Sequence, residues 1–336
     1  MEYLEDENYT FLLCSERSGS NFITKLMNNH SSICGPSTKH IINPLVRNYF
    51  RYQPLTNKQN WNNLLQNVFS LFQVSFSIWN SGFTLEELLA NIKKGSIRDV
   101  INYFFTKETF KNNKTHCFVK EIKAYEFYPF IKKEFPKANY LHLVRDPRDM
   151  ALSWKKSKIH QGGIVAAAKQ WKEDQQQYLK ITELEKANFK SVTLKYENLV
   201  SDTENQLKKF LKNVNLDFQE EMIHLEKDKL TQKNAGQQKA WENLSKPVMK
   251  DNFNKFEKEL TTQEIRFIEA ICYFEMCHLD YKPKNNWEEL KKIASKEINA
   301  FAAVEQTKLV YSPNSGVTAN MEAKQRFYQY IAKENT

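Results

Sequence analysis

Two short cationic segments, far apart in the chain, carry the residues best suited to binding phosphate or sulfate. The first is 15–20, where Arg17 stands among serines and a glycine directly after an apolar run. The second begins at Arg145, after another apolar run, and continues to Ser153. A guanidinium group binds two oxygens of one phosphate or sulfate, and hydroxyls and free backbone N–H groups add further donors. Both segments therefore predict anion binding.

The first segment has the composition of a turn between a strand and a helix. The N–H groups and the positive dipole end at the start of a helix favour an anion. Gly19 permits close approach to the backbone, and the neighbouring side chains donate hydrogen bonds: Ser18, Ser20 and Asn21. The triphosphate-binding pattern GxxxxGK[ST] is absent, and no aspartate is placed to hold magnesium. The turn is predicted to bind an anion without a metal, although an ordinary turn with an exposed arginine remains an alternative.

The second segment places a cation and a hydroxyl near the start of a helix. Pro147 fits the first helical position, with Asp146 as the N-cap. Arg145 precedes the helix and Ser153 lies two turns into it, so the two side chains could hold a monophosphate from two directions. The alternative is a surface cluster in which arginines pair with aspartates: Arg145, Asp146, Arg148 and Asp149.

Four short apolar runs predict the strands that position these segments: 9–14, 117–120, 139–144 and 190–195. Near-continuous apolar runs are typical of buried parallel strands, and helical patterns follow each of them. The alternation predicts an α/β fold with a central parallel sheet flanked by helices. Ligands of such sheets bind at the carboxyl ends of the strands, so both cationic segments should lie at one edge.

The remaining regions predict additions to one domain spanning 1–336. Residues 43–112 have helical patterns and no convincing strand, which predicts a helical insertion on the acceptor side of the site. Its aromatic residues either wall an acceptor pocket or form the core of the insertion, and the second interpretation is favoured. Residues 286–336 predict a C-terminal extension of one or two helices with a turn at 312–316.

Composition narrows the function classes and the location. The formal charge is +9, but 41 of the 49 cations are scattered lysines, and no arginine-rich or aromatic-interleaved stripe predicts nucleic-acid binding. Cysteine and histidine spacings indicate neither disulfides nor a metal site. The longest apolar stretch, 68–79, is too short and too polar to span a membrane. The N-terminus is acidic rather than signal-like, so a cytoplasmic protein is expected. The sequence does not indicate an oligomeric state.

The two cationic segments together resemble a known pair of signatures. RSGSNFITKLMNNH (17–30) and LVRDPRDMALSW (143–154) are similar to the signatures of sulfotransferases that use 3′-phosphoadenosine 5′-phosphosulfate (PAPS). Three weaker matches follow in family order: 118–120, 195–201 and 239–244. The resemblance thus covers about 10–280. The arginine at position 17 makes the first segment more similar to the carbohydrate, tyrosyl-protein and bacterial branches of the family than to its other branches.

The resemblance implies a P-loop-NTPase-like sulfotransferase fold and a role for each segment. The first turn would hold the 5′-phosphosulfate and the second segment the 3′-phosphate of PAPS and of its product PAP. Arg17 and Lys120 would stabilise the charge that develops on the leaving phosphate during in-line transfer. The cofactor-binding residues implied are Arg17, Ser18, Gly19, Ser20, Asn21, Arg145, Ser153, Tyr196, Lys239 and Trp241. No metal is implied.

The resemblance does not assign the residue that would take the proton from the acceptor. Related enzymes often carry a carboxylate after a CGE stretch, whereas this chain reads CGPST at 34–38. His40 is the first choice because an imidazole titrates near neutral pH, although a lone histidine often only packs. Glu121 is the second choice and His116 the third. Lys39 could provide an additional cation.

The sequence therefore predicts transfer of a sulfuryl group from PAPS to a hydroxyl or amine of a small polar acceptor. A glycan, a lipid or a natural product would suit, and a cyanobacterial alkaloid toxin is one example of the last. Two alternatives stay open: a nucleotide-kinase-like phosphotransferase and a non-enzymatic polyanion-binding module.

Overall fold

A five-stranded parallel sheet forms the centre of the protein, in the strand order β2-β3-β1-β4-β5. The structure is a computed structural model that describes residues 2–74, 77–157, 160–188, 190–227, 229–235, 249–306 and 317–332. The strands are β1 Tyr9–Cys14, β2 Ile33–Cys34, β3 His116–Lys120, β4 Asn139–Val144 and β5 Ser191–Lys195. The α/β fold class and the four predicted strands are confirmed.

The sheet is flanked by helices that follow the strands. These are α1 Ser20–Asn28, α2 Ile42–Asn48, α3 Lys58–Gln73, α4 Leu85–Asn91, α5 Ile97–Lys111, α6 Tyr128–Glu134, α7 Pro147–Lys155, α8 Gly163–Lys186, α9 Tyr196–Ser201, α10 Thr203–Asn213, α11 Lys229–Ala235, α12 Phe256–Glu259, α13 Thr262–His278, α14 Trp287–Leu290, α15 Ser295–Gln306 and α16 Val317–Gln329. Short 3₁₀ turns lie at Asp6–Asn8, Tyr49–Tyr52, Ala124–Glu126, Glu220–Ile223 and Leu225–Lys227.

The central strands owe their burial to side chains that are apolar on both faces. All six residues of β1 and all six of β4 are buried, as expected for strands covered by helices on both sides. In the parallel register Leu12 pairs with Lys120 and Cys14 pairs with Leu143. The carboxyl ends of β1, β3 and β4 therefore meet at one edge, and the segments that follow them lie side by side.

The region 43–112 is helical, as predicted, and most of its aromatic rings form its core. Phe72 lies 5.4 Å from Trp79 and 4.7 Å from Phe83, measured between ring centroids. Phe104 joins the same cluster from α5. The interpretation of these rings as core is therefore favoured by the structure, with Phe76 lying outside the described residues.

The C-terminal region supplies three helices, α14, α15 and α16, in the part of the chain that the structure describes. Ala323 and Phe327 of α16 are buried against the helical insertion, and Tyr330 stacks on Tyr52 at 4.2 Å. The turn predicted at 312–316 lies outside the described residues. Among the described helices, none has both the length and the apolar character needed to cross a membrane.

Candidate active site

The turn between β1 and α1, residues 15–20, has a backbone shaped for close contact with a ligand. Arg17 and Gly19 both adopt left-handed backbone conformations, with φ of 64° and 88°. The helix starts at Ser20, and the Ile23 N–H donates to the Gly19 carbonyl at 3.1 Å. The N–H groups before Ile23 therefore belong to the free first turn of a helix, which favours an anion.

The two cationic segments meet, as the strand order requires. Nη1 of Arg145 donates to the backbone carbonyl of Arg17 at 3.1 Å. Nε of Arg17 donates to the Ser153 hydroxyl at 3.1 Å. Burial lowers the pKa of Arg17, and the neighbouring positive charge of Arg145 lowers it further. Two guanidinium groups this close repel each other, so an anion bound between them is favourable.

Arg145 is held by aromatic and carbonyl groups. Its guanidinium lies over the Tyr196 ring at 4.4 Å, and its Nη2 donates to the Asn252 carbonyl at 3.3 Å. Asn252 Nδ2 in turn donates to the Tyr196 hydroxyl at 2.7 Å. Within the described ranges Arg145 forms no salt bridge with a carboxylate. Its charge is therefore positioned without being neutralised by an ion pair.

Within the two cationic segments, two buried polar atoms lack hydrogen-bond partners among the residues that the structure describes. They are the Ser18 hydroxyl and Nε of Arg145. Both residues are buried, Ser18 at 0% and Arg145 at 8% exposure. Unsatisfied buried donors are costly in a native protein, and they suit a site whose missing partners are the oxygens of a ligand.

Two features favour glycine at position 19: its left-handed backbone and the closeness of the Tyr196 ring. A Cβ at this position would lie 2.4 Å from Cδ2 and 2.5 Å from Cε2 of Tyr196. The Tyr196 ring thus packs directly beneath the turn and joins it to Arg145. The sequence resemblance placed Tyr196 near the nucleotide, and the structure places it between the two cationic segments.

Arg148 does not belong to the anion site. Its Nη2 lies 2.7 Å from Oδ2 of Asp146, and its Nη1 lies 2.7 Å from Oε1 of Glu269. The group is buried and packs over the Phe256 ring at 4.2 Å. Asp149 instead accepts the Phe256 N–H at 2.9 Å. The alternative interpretation correctly paired Arg148 with Asp146, but this pair is buried rather than at the surface, and Arg145 takes no part in it.

The same edge of the sheet brings together His40 and Glu121, the first and second choices for the base. Nδ1 of His40 lies 3.7 Å from Oε2 of Glu121, and Oε1 of Glu121 accepts the Ile41 N–H at 3.0 Å. His40 has a left-handed backbone with φ of 53°. Burial lowers the pKa of His40 and also that of Lys120, which ends β3 beside Glu121. The arrangement thus places a carboxylate next to the imidazole ring.

Lys39 faces the helical insertion. Its Nζ lies 4.1 Å above the Phe72 ring and donates to the Phe72 carbonyl at 3.3 Å. Burial lowers the pKa of Lys39 to about 8. The carbonyl of Ser37 accepts the Trp79 indole N–H at 2.6 Å, so the insertion fixes the segment that leads into His40.

The other predicted site residues fall in three places. Ser20 and Asn21 begin α1 at the turn, as expected. His116 begins β3 at its amino end, which is the opposite edge of the sheet from Lys120. Lys239 and Trp241 lie outside the described residues.

A buried polar network beneath the turn was not anticipated from the sequence. The Ser15 hydroxyl accepts from Gln175 Nε2 at 3.0 Å, and Gln175 Oε1 lies 3.0 Å from His142 Nε2. Asp174 adjoins Ser15, and burial raises the pKa of Asp174 to about 6. Burial lowers the pKa of His142 to about 4. These groups come from β4 and α8, and only the tertiary fold brings them together.

Comparison with known proteins shows which family and fold this chain shares. A model of the sulfotransferase family matches residues 10–220, which is more than half of the chain. The sulfotransferase domain of the Synechococcus PCC 7002 olefin synthase has a similar structure, with 19% sequence identity and a TM-score of 0.54 over 81% of this chain and 96% of that one. The sulfotransferase domain of the curacin biosynthetic pathway has 16% identity and a TM-score of 0.50 over 81% of this chain and 97% of that one. Both likenesses show a shared fold. No curated protein sequence matches this chain.

Proposed function

The chain belongs to the sulfotransferase family, and we propose that it transfers a sulfuryl group from PAPS to a hydroxyl or amine of a small polar acceptor. The observation that carries this proposal is the meeting of Arg17 and Arg145 at the carboxyl edge of the sheet. A nucleotide with phosphate groups at its 3′ and 5′ positions needs two cationic sites on one face. Two adjacent arginines on separate turns supply them.

The residues at this edge fit such a donor. The unpaired hydroxyl of Ser18 would bind at the 5′ end, and the unpaired Nε of Arg145 would bind the 3′-phosphate. Ser153 lies against Arg17 and would help to position the nucleotide rather than take part in the chemistry. Lys239 and Trp241 are proposed as further contacts on the sequence resemblance alone.

Arg17, Lys120 and the first-turn N–H groups would carry the electrostatic part of the reaction. When bound, PAPS supplies an activated sulfuryl group whose departure leaves negative charge on the 5′-phosphate. Donors that are already fixed where charge develops lower the barrier without reorganising. Arg17 and Lys120 are partly shielded from solvent, which lowers the pKa of each and strengthens their interaction with that charge relative to a fully exposed cation.

His40 would take the proton from the acceptor. A lowered pKa keeps the imidazole neutral, and therefore able to accept a proton, at neutral pH. Glu121, 3.7 Å away, would stabilise the imidazolium that forms and would orient the ring. The left-handed backbone of His40 supports a functional role for this residue, since strained conformations of this kind cluster at active sites. A cytoplasmic tailoring enzyme for a glycan, lipid or natural product would fit these features.

Binding of PAP in the presence of EDTA tests the proposal. We expect calorimetry to give a dissociation constant on the order of micromolar for the wild-type protein. Arg145→Ala should weaken binding by about 100-fold, because a hydrogen bond to a charged group contributes about 1.5–3 kcal/mol. Arg266→Ala, at an exposed position on α13, is the matched control and should bind normally. Equal affinity of both variants would contradict the proposed donor site.

Incubation with PAPS and a panel of hydroxyl and amine acceptors then tests transfer. The expected product gains the mass of one SO₃. His40→Ala should keep its affinity for PAP and lose most of its turnover, because general-base catalysis contributes roughly 100-fold or more. Full turnover by His40→Ala would remove His40 from the role of base.

A further inference from the structure

An acidic residue lies in the turn between β1 and α1, which we propose holds the 5′ end of the donor. Glu16 directly precedes Arg17, and its side chain is 33% exposed. Lys120 and His40 lie near enough to act on its charge. A carboxylate beside an anion-binding turn repels the anion unless another group holds it aside or neutralises it. The structure provides one such group.

Oε2 of Glu16 lies 2.7 Å from Nε2 of His160, a residue that follows α7. Burial raises the pKa of Glu16, but the hydrogen bond and the charge of His160 outweigh burial, and the pKa lies below its ordinary value. Glu16 is therefore ionised at neutral pH and depends on His160 for its partner.

Besides Glu16, the side chains of Ser157 and Trp154 contact the His160 ring. Its Nδ1 lies 2.8 Å from the Ser157 hydroxyl, and its ring packs on Trp154 with centroids 4.2 Å apart. The Trp154 indole N–H donates to the Gln161 carbonyl at 2.9 Å. The side chain is only 8% exposed. An ionised carboxylate can only accept, so Nε2 of His160 donates the hydrogen bond to Glu16.

The backbone of Arg17 needs support from its neighbours. A left-handed conformation is unfavourable for any residue except glycine and persists where surrounding contacts enforce it. Arg145 fixes the Arg17 carbonyl, and Ser153 fixes the Arg17 side chain. The contact between Glu16 and His160 fixes the preceding residue. Ser153 and His160 thus hold two consecutive side chains of the turn.

We propose that His160 is a positioning residue that draws the Glu16 carboxylate away from the bound anion and holds Arg17 in its left-handed conformation. This inference rests on the proposed function, since it assigns His160 to the 5′ end of the donor site. The 3′ end has separate supports in Tyr196 and Asn252. His160 should therefore affect the binding of a 5′-phosphate and leave the binding of a 3′-phosphate unchanged.

A comparison of two nucleotides isolates that effect. PAP carries both phosphates, whereas adenosine 3′-monophosphate carries only the 3′-phosphate. The ratio of their dissociation constants measures what the turn gains from the 5′-phosphate. A merely structural defect would weaken both ligands and leave the ratio unchanged.

His160→Phe keeps a ring against Trp154 and removes both hydrogen bonds. We expect this variant to bind PAP about tenfold more weakly and to bind adenosine 3′-monophosphate within about twofold of wild type. His160→Gln, whose amide can donate to Glu16, should recover most of the loss. Adding Glu16→Gln to His160→Phe should also recover part of it, because the released carboxylate is then uncharged.

His224→Phe is the matched control, because Nδ1 of His224 lies 3.2 Å from Glu226 in a half-buried to exposed pair elsewhere on the protein. It should leave both affinities unchanged. An unaltered ratio in His160→Phe would overturn the inference while the proposed function stands. If wild-type protein binds PAP no more tightly than adenosine 3′-monophosphate, the proposed donor site and this inference fail together.

Discussion

The substitution Gly19→Ala tests whether the Tyr196 ring packs against the turn at residues 15–20. Alanine at this position must adopt φ of 88°, and its Cβ would lie 2.4 Å from the ring. The ring has little freedom to move, because the Arg145 guanidinium lies 4.4 Å above it and Asn252 donates to its hydroxyl at 2.7 Å. The clash should therefore displace Arg145 as well.

Two separate costs follow from this geometry. The left-handed backbone costs alanine about 1–2 kcal/mol relative to glycine. Forcing a methyl group against a fixed ring costs about a further 1–3 kcal/mol, as in other overpacked sites. Gly19→Ala should thus lower the free energy of unfolding by about 2–5 kcal/mol in total.

A double-mutant cycle separates the two costs. In a Tyr196→Ala background the ring is gone, and Gly19→Ala should cost only the backbone part, about 1–2 kcal/mol. Urea unfolding of the wild type, both single variants and the double variant gives the coupling energy between the two positions. A coupling energy below about 0.5 kcal/mol would refute the close packing of Tyr196 under Gly19.

Further predictions concern two buried polar clusters. His142 has a pKa of about 4 in the folded protein, below its ordinary value, so its contribution to stability is lost as pH falls from about 6.5 towards 4. Asp174 has a raised pKa of about 6, so its contribution is lost as pH rises from about 4 to 6. Urea unfolding should therefore show that His142→Gln is more stable relative to wild type at pH 4.5 than at pH 7. Asp174→Asn should be more stable relative to wild type at pH 7 than at pH 4.5. If a variant and the wild type change in stability with pH in parallel, the pKa given to that residue is contradicted. Arg148→Ala removes the ion-pair partner of Asp146 and Glu269 and should lower the free energy of unfolding by about 3–5 kcal/mol. A loss below about 1 kcal/mol would show that this ion pair does not stabilise the fold.

The sheet was predictable because its strands are apolar on both faces. The runs at 9–14 and 139–144 match β1 and β4 at both ends, and the parallel order then places Arg17 beside Arg145. β2 was missed because two residues, Ile33 and Cys34, show no periodicity.

The contacts around the turn could not be predicted from local sequence. Asn252 and His160 come from segments without a regular pattern, and their positions depend on how distant helices pack. Both Arg145 and Arg148 could have paired with the neighbouring aspartates, yet Glu269, which lies 121 residues from Arg148, helps to fix only Arg148 in an ion pair.

The most direct test of the two-arginine donor site is a crystal structure of the protein with PAP. We predict one nucleotide whose 5′-phosphate contacts the Arg17 guanidinium and the backbone N–H groups of 18–21, and whose 3′-phosphate contacts Arg145. A nucleotide bound with either phosphate away from these arginines would contradict the account.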